Sequence, residues 1–333
     1  MTVYILGAGA SIHAGYPLAS GLGKSLAAWI DTLPQDHQYR CHLSQIIDAY
    51  GTLDNFEGIL TDLMTCPPGS PAASLPSAVL PYLRNDLQDA IREHFDIIRT
   101  APAPLYDRLA HGLRRGDLVI TYNYDLAIEC ALRAAGLWEI RTGYGFPIGD
   151  VQQPSPIEVL KLHGSTNWGA LLFGGVTGNG YFGGHHDSLG ARPVLCSRPD
   201  QEYLGLPDFV DPLCVGLDTV CRLLAMIMPA LPKTFYFATI FGHEWKPFWD
   251  SLWRRAEDAI ARAEELVIIG YSMPAADERA RGLLLGTTNK AVRLTICCGN
   301  ATTSLQQEFR NHGFTSIQHI ADPTFAGFLT HLS

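Results

Sequence analysis

The feature that most constrains the fold is a set of short, almost continuously apolar runs, rich in β-branched residues and bounded by Gly, Asn or Asp. Because both faces of such a run are apolar, we expect strands that are buried on both faces, as in a parallel sheet. The predicted strands are Val3–Leu6, Leu118–Thr121, Glu158–Leu162, Leu266–Ile269, Val292–Cys297 and the weaker Ile317–Ile320.

Helical patterns lie between several of these strands, at Leu22–Leu33, Asp125–Ala135 and Phe248–Glu265. Strands that alternate with helices predict an α/β fold, here a Rossmann-like, doubly wound parallel sheet of about six strands. The chain has 333 residues, of which 47% are hydrophobic, and can therefore bury a large core. We predict a single domain over residues 1–333.

Two segments interrupt this alternation. Residues from about 34 to 105 are predicted to form a helical insertion, which a proline-rich linker at Cys66–Pro76 divides. Its helical patterns are Leu43–Tyr50, Asn55–Met64 and Val79–Ile98. Residues from about 165 to 245 are rich in Gly, Pro and aromatic side chains, which indicates a loop-rich insertion with some strand.

The composition argues against several classes of partner. The net charge is −9 and no cluster of Lys and Arg is present, so we expect no direct binding of nucleic acid. The apolar runs are too short to span a bilayer, and no basic segment precedes the first strand. We therefore expect a cytoplasmic protein with no membrane partner.

The cysteines give no sign of a metal site. None of the eight forms a C-x-x-C pair, which a structural zinc site usually needs. The pair His185–His186 is the best remaining hint, but it lies in a glycine-rich loop and is expected to face solvent. We expect no metal.

The first predicted strand ends in the turn GAGAS, residues 7–11. Gly7 and Gly9 let the backbone turn tightly, and amides at the start of the following helix can bind phosphate oxygens. The turn is not a P-loop, because Lys24 lies in SGLGKS, which lacks the first glycine and the preceding strand. It also departs from G-x-G-x-x-G, because Ile12 replaces the third glycine. A tight turn that binds no ligand is the alternative.

Polar residues also follow four further strands. The segments are TYNYDLAIE (Thr121–Glu129), HGSTNW (His163–Trp168), YSMPAADERA (Tyr271–Ala280) and GNA (Gly299–Ala301). In an open parallel sheet, ligands bind outside the carboxyl ends of the strands. Five strand ends with polar residues at one edge therefore predict a site large enough for a dinucleotide.

Each of these polar residues also has a structural alternative. Asn123 and Asp125 are residues that favour helix N-caps. His163 is alternatively a hydrogen-bonded core histidine. Asp277 is a candidate cap of its own helix, and Ser272 is a candidate for closing a turn.

Taken in order, the motifs GAGAS with AGYPLASGL, TYNYDLAIE, KLHGSTNW, IIGYSMPAAD and CCGN resemble the sirtuin family. The resemblance runs from residue 5 to about residue 301, and it covers the nucleotide-binding framework but not the two insertions. GYPLA, NYD with a following Glu, and GYSMP are most similar to the bacterial sirtuin-like proteins of anti-phage defence, which degrade NAD.

The resemblance implies which residues bind NAD. Those expected at the pyrophosphate are Gly7, Ala8, Gly9 and Ser11. Those expected at the phosphate and the adenosine ribose are Gly270, Ser272 and Asn300.

It also implies three catalytic residues. Asn123 is expected beside the nicotinamide ribose and the attacking water, and Asp125 at the nicotinamide end of the pocket. His163 is expected to contact the ribose hydroxyls, as the catalytic histidine of the family does.

The resemblance has gaps that bear on activity. The four-cysteine zinc module of the deacylating sirtuins is absent, and Ser20 stands where their second glycine motif ends in arginine. These losses count against protein deacylation more than against NAD cleavage. The expected activity is therefore an NAD+ glycohydrolase that releases nicotinamide and ADP-ribose, with NAD as its substrate.

Two other classes remain open. One is a transferase, either an NAD-dependent protein deacylase or an ADP-ribosyltransferase, and the other is a non-enzymatic sensor subunit for NAD or ADP-ribose. The presence of both Asn123 and His163 favours catalysis over sensing. Because an uncontrolled NADase would kill its host, we also expect regulation through a homo-oligomer, a regulatory partner protein, or both.

Overall fold

The computed structural model describes residues 1–99, 101–140, 142–145, 154–173, 194–195, 220–226 and 245–332. Its strands are β1 (Thr2–Leu6), β2 (Leu118–Thr121), β3 (Glu158–Lys161), β4 (Gly164–Phe173), β5 (Val194–Leu195), β6 (Val220–Met226), β7 (Glu265–Ile269), β8 (Arg293–Cys297) and β9 (Ile317–Gln318). Its α-helices are α1 (Ala8–Ser11), α2 (Ala19–Ile30), α3 (Gln38–Tyr50), α4 (Phe56–Thr65), α5 (Pro71–Ser74), α6 (Leu80–Ile98), α7 (Pro104–Gly112), α8 (Ala127–Ala134), α9 (Trp245–Arg262), α10 (Glu278–Leu285), α11 (Thr302–Asn311) and α12 (Phe325–Leu329).

Six strands form one sheet in the order β3-β2-β1-β7-β8-β9, and every neighbouring pair is parallel. Counted along the chain, these are the third, second, first, fourth, fifth and sixth strands of the sheet, which is the Rossmann order. The predicted fold class is confirmed, and all six predicted strands belong to this sheet. The strand order reverses between β1 and β7, where such folds bind their ligands.

Burial explains why these runs became strands. After its first residue, every position of β1, β3, β7 and β8 is buried, and all four residues of β2 are buried. Because successive strand residues point to opposite faces, continuous burial means that both faces of the sheet are covered. The weak sixth run is correspondingly short, since only Ile317 and Gln318 pair with β8.

Local signals set several of the helix boundaries. The Asn55 side chain accepts a hydrogen bond from the Gly58 amide and starts α4, as N-cap asparagines do. Helix α3 ends at Gly51, whose φ of 76° lies in the left-handed region that glycine tolerates. The proline-rich linker Cys66–Pro76 contains the short helix α5, which begins with a proline at Pro71.

The region 34–105 contains α3 to α6 and the start of α7, as its helical patterns predict. In the region 165–245, a second sheet of three antiparallel strands has the order β5-β4-β6. The rest of that region, including His185–His186, lies outside the described residues. The single domain and the bounds of both insertions stay predictions.

Within the described ranges, no helix combines the length and the apolar character that crossing a bilayer requires.

Candidate active site

A cavity of about 550 Å³ opens at the carboxyl ends of β1, β2, β3 and β7, beside the point where the strand order reverses. The predicted site residues that line it are Ala8, Gly9, Ser11, Asn123, Asp125, His163, Gly270 and Ser272. Gly7 does not line the cavity, but its carbonyl oxygen accepts a hydrogen bond from Asn123, which does. Asn300 is exposed in the turn after β8, and the described lining does not include it.

The turns that follow β1 and β7 cross in direct contact. The Gly7 amide donates to the Ile269 carbonyl at 3.0 Å, and the Gly9 amide donates to the Gly270 carbonyl at 2.9 Å. A Cβ atom on Gly7 would lie 2.5 Å from Tyr271 Cα, and Gly270 has a φ of 63°. Glycine is needed at both positions because two backbones approach each other here. The amides of Gly7 and Gly9 are therefore engaged within the protein.

Four buried side chains form a hydrogen-bonded group, the Ser11 cluster (Ser11, Tyr106, Asn123 and Asp125). Ser11 Oγ donates to Asp125 Oδ2 at 2.8 Å and accepts from Asn123 Nδ2 at 3.0 Å. The Tyr106 hydroxyl lies 2.8 Å from the same oxygen. Burial first, and the Asp125 carboxylate second, raise the pKa of Tyr106 well above its ordinary value, so this hydroxyl stays protonated. It is the donor to Ser11.

The Ser11 hydroxyl has no bonding capacity left for a ligand. A serine hydroxyl offers one donor and two acceptor positions, and the three partners of Ser11 fill all of them. Any contact between Ser11 and a pyrophosphate would therefore use the backbone. The side chain instead fixes the two polar residues that follow β2.

The structure distinguishes the alternatives for Asn123 and Asp125. Asn123 Nδ2 donates to the Gly7 carbonyl at 3.0 Å and to Ser11, so this side chain joins two strand ends and does not cap α8. Asp125 Oδ1 accepts from the amide of Ala127, the first residue of α8, at 3.0 Å. Asp125 thus bonds the first amide of α8 with one carboxylate oxygen and Ser11 with the other, although the N-cap position itself is Leu126.

A fully buried ion pair supports the Ser11 cluster. Lys161, at the end of β3, is 0% exposed, and its Nζ lies 2.7 Å from Glu129 Oε1 on α8. The same ammonium group donates to the Asp125 carbonyl at 2.5 Å. Burial raises the pKa of Glu129, while Lys161 opposes that rise. The pair ties β3 to the turn that carries Asn123 and Asp125.

A second group of buried side chains lines the same cavity, the His163 cluster (Tyr122, His163, Tyr271 and Asp277). His163 Nε2 lies 3.4 Å from Asp277 Oδ1. The Tyr271 hydroxyl donates to Asp277 Oδ2 at 2.8 Å. The Tyr122 ring packs on two members of the cluster, with its centroid 4.2 Å from that of Tyr271 and 5.0 Å from that of His163.

The structure bears on the alternatives for His163 and Asp277 in different ways. His163 is buried, as a core histidine would be, yet it lines the cavity. Asp277 stands at the N-cap position of α10, but its side chain makes no capping hydrogen bond. Burial above all raises the pKa of Tyr122 and of Tyr271, and the Asp277 carboxylate adds to both shifts. Both phenols are therefore neutral donors near the histidine.

The helical region contributes one part of the lining that the motifs did not predict. The residues concerned are Asp54, Asn55, Phe56 and Glu57 around the start of α4, together with Phe95 on α6. The cavity therefore extends beyond the strand ends and is bounded by the segment that begins at residue 34.

Across the part of the chain that the structure describes, no group of three His, Cys, Asp or Glu side chains is placed to hold a metal ion.

No protein-family model and no curated protein matches the chain. Among solved structures, a mutant Sir2 homologue bound to ADP-ribose is 15% identical, with a TM-score of 0.38 over 93% of this chain and 91% of that chain. A complex of a Sir2 homologue with NAD is 17% identical, with a TM-score of 0.38 over 93% of this chain and 88% of that chain. Sir2Tm bound to a propionylated peptide is 15% identical, with a TM-score of 0.32 over 95% of this chain and 94% of that chain.

At such identities and TM-scores, these similarities transfer neither a ligand nor a reaction to this chain. Its α/β architecture follows from its own strand order and register.

Proposed function

We propose that the protein is an NAD+ glycohydrolase, which cleaves the bond between nicotinamide and ribose to give nicotinamide and ADP-ribose. The observation that carries the proposal is the meeting of Asn123, Asp125 and His163 at one cavity, beside the turn Ala8–Ser11. The three residues follow two strands, β2 and β3, and the turn follows a third, β1; their order along the chain is the one that the sirtuin resemblance implies.

The reaction places clear demands on such a site. Nicotinamide leaves as a neutral molecule, and the ribose passes through a state that resembles an oxocarbenium ion. The protein must hold the dinucleotide, direct a water molecule to the ribose and stabilise positive charge. Binding energy from the remote adenosine half can contribute to distortion of the reacting half.

Asn123 is suited to orienting the water. Its side-chain Nδ2 donates to the Gly7 carbonyl and to Ser11 Oγ. The amide is thereby fixed in orientation, and Oδ1 is the atom with which it can accept a hydrogen bond from water. An amide oxygen directs the water without competing with it as a nucleophile.

Asp125 supplies a negative charge, and His163 supplies a general base. The Asp125 carboxylate is fixed by Ser11 and by the Ala127 amide, and a preorganised anion stabilises developing positive charge at low cost. His163 has the residue chemistry for accepting a proton from the water or from a ribose hydroxyl.

The dinucleotide itself is assigned to the crossing turns. Gly7, Ala8, Gly9 and the Ser11 backbone are proposed at the pyrophosphate. Gly270, Ser272 and Asn300 are proposed at the phosphate and the adenosine ribose. Ala8, Gly9, Gly270 and Ser272 support this assignment because they line the cavity.

The proposed biological role is that of a regulated effector of bacterial anti-phage defence, which acts in the cytoplasm by depleting NAD. This role rests on the resemblance of GYPLA, NYD and GYSMP to that branch. Control by a homo-oligomer or a partner protein is part of the proposal, because free NAD is needed by the host at all other times.

The test is incubation of the purified protein with NAD, followed by chromatography of the products. Free nicotinamide and ADP-ribose are expected from the wild type, and Asn123→Ala and His163→Ala are each expected to abolish them. The matched controls are Asn311→Ala and His319→Ala, which change exposed residues outside the described lining. Full turnover in both folded site variants would contradict the proposal.

The same assay separates the competing functions. O-acyl-ADP-ribose formed with an acylated peptide would identify a deacylase, and a protein that carries ADP-ribose would identify a transferase. Tight binding of NAD without turnover would identify a sensor.

A further inference from the structure

The side chain of Asp277 is placed for a role other than helix capping. It occupies the N-cap position of α10, where aspartate usually accepts a hydrogen bond from a helix amide. Here it makes no such bond, and its carboxylate faces two groups of the cavity lining instead. Oδ2 accepts from Tyr271 at 2.8 Å, and Oδ1 lies 3.4 Å from His163 Nε2.

Burial strengthens the attraction between His163 and Asp277. The side chains of His163 and Asp277 are 6% and 3% exposed, so solvent screens their attraction weakly. A buried carboxylate is costly unless it is bonded, and Tyr271 supplies one such bond. Because Tyr271 stays protonated, it is a permanent donor that fixes the plane of the carboxylate.

We propose that Asp277 is a positioning residue, which holds the His163 ring with its proton on Nε2 and so makes Nδ1 the basic nitrogen. The inference deepens the proposed function and rests on it where catalysis is concerned. A proton on Nε2 has the acceptor Oδ1 3.4 Å away, and the imidazolium that forms when Nδ1 takes a proton is stabilised by the same carboxylate. The separation of 3.4 Å is typical of catalytic contacts that shorten when substrate binds.

Other charged and titratable groups among the described residues lie near the pair. Tyr122 packs on the His163 ring and is neutral because burial raises its pKa. On α10, the cation Arg281 pairs with Glu308, and the cation Arg279 pairs with Asp250. Asp125, which precedes α8, lines the same cavity. Its carboxylate oxygens accept hydrogen bonds from the Ser11 hydroxyl and from the Ala127 amide. The contact of 3.4 Å places the Asp277 carboxylate beside His163.

The first test needs no substitution. Nitrogen chemical shifts of the histidine rings in the full-length protein, at a pH where His163 is neutral, report which nitrogen carries the proton. The expected result is protonation of Nε2. Protonation of Nδ1 would overturn the proposal.

The second test compares Asp277→Asn with Glu278→Gln, which changes the exposed neighbouring acid. In Asp277→Asn, we expect the His163 titration midpoint to fall by about 1–3 pH units, because a nearby anion is lost. We also expect kcat for NAD to fall by about 10²–10⁴-fold, because an asparagine amide favours the wrong tautomer. KM should change little, and Glu278→Gln should match the wild type.

The outcomes keep the two proposals apart. A folded Asp277→Asn protein with wild-type titration and kcat would overturn the positioning role while leaving NAD hydrolysis intact. A wild-type protein that never cleaves NAD would contradict the proposed function. In that case the nitrogen shifts and the titration of His163 would still test whether Asp277 sets the tautomer of its ring. Should Asp277→Asn fail to fold, the nitrogen shifts of the His163 ring in the wild type alone decide whether the positioning role stands.

Discussion

The Ser11 cluster and the His163 cluster line the same cavity but are built differently. In the Ser11 cluster, side-chain hydrogen bonds of 2.8–3.0 Å fill the whole capacity of the central hydroxyl. In the His163 cluster, one strong hydrogen bond, a ring stack at 4.2 Å and a longer contact of 3.4 Å hold four side chains. The first group is fixed before any ligand arrives, whereas the second contains the titratable contact.

This difference assigns distinct tasks to the two clusters. Saturated hydrogen bonds preorganise Asn123 and Asp125, which suits groups that orient water and stabilise charge. A histidine beside a carboxylate suits proton transfer, which requires a group that changes its protonation state. Breaking each cluster separately should therefore have different consequences.

The largest effect is expected from removing the support of the Ser11 cluster. Lys161→Met leaves Glu129 buried without its counter-charge, which should lower the free energy of unfolding by about 3–5 kcal/mol. Urea unfolding near neutral pH measures it. The control is Arg293→Ala, which breaks an ion pair with a half-exposed arginine and should cost less than about 1 kcal/mol. Equal losses would contradict the importance of burial.

The stability that Lys161→Met loses should depend on pH. Burial raises the pKa of Glu129 in the folded protein, so the folded state binds this proton more tightly than the unfolded chain does. Stability must then fall as the pH rises from the unfolded-chain value of about 4.3 to the raised folded value. Without Lys161 the pKa of Glu129 in the folded protein rises further. The free energy of unfolding that Lys161→Met loses should therefore be larger near pH 8 than near pH 5. A deficit that shrinks with rising pH would refute this assignment.

Breaking the crossing between the two strand ends should disturb both clusters. Gly270→Ala adds a Cβ that overlaps the backbone of α1 and imposes a φ of 63° on alanine. We expect a loss of about 1–3 kcal/mol from overpacking, beyond about 1 kcal/mol for the backbone strain. Gly51→Ala isolates the strain alone, because Gly51 has a φ of 76° and no atom within 4 Å of its added Cβ. Similar melting curves for the two variants would exclude a steric role for the crossing.

Removing the centre of one cluster should be more selective. Ser11→Ala removes one buried hydrogen-bond partner from each of Asp125, Asn123 and Tyr106, with an expected loss of about 1–3 kcal/mol. NAD cleavage should fall as well, whereas the His163 ring should titrate as in the wild type. A shifted His163 titration in this variant would show that the two clusters are not independent.

The smallest effects are expected at two tyrosines, one in each cluster. The Tyr106 hydroxyl is bonded to Ser11, so Tyr106→Phe should cost about 0.5–1.5 kcal/mol. The Tyr122 hydroxyl is buried and finds no hydrogen-bond partner among the described residues. Tyr122→Phe should therefore be neutral or slightly stabilising. If chemical denaturation ranked the two variants in the opposite order, the hydrogen-bond assignment would be wrong.

The sheet was predictable because its signal is local. Each strand is a continuous apolar run with a polar or glycine end, and burial on both faces requires that pattern. Even the weak run at Ile317 was found, although only two of its residues pair with β8. The places of Asn123 and His163 at the cavity followed from the rule that strand ends converge at one edge.

The partners of these residues were not predictable, because they depend on contacts between distant segments. The sequence could not show that Asp277 turns away from its own helix toward a histidine more than one hundred positions earlier. The sequence does contain one signal for such a contact. Lys161 lies within the apolar run VLKL and Glu129 on the apolar helix after NYD, and charges in buried positions require a partner.

The most direct measurement is a crystal structure of His163→Ala soaked with NAD, in which the site should be intact but slow to react. We expect NAD in the cavity, with its nicotinamide ribose between Asn123 and the position vacated by the imidazole and its diphosphate at the crossing turns. Density for NAD elsewhere, or an empty cavity at saturating NAD, would contradict the proposal that this cavity holds and cleaves the dinucleotide.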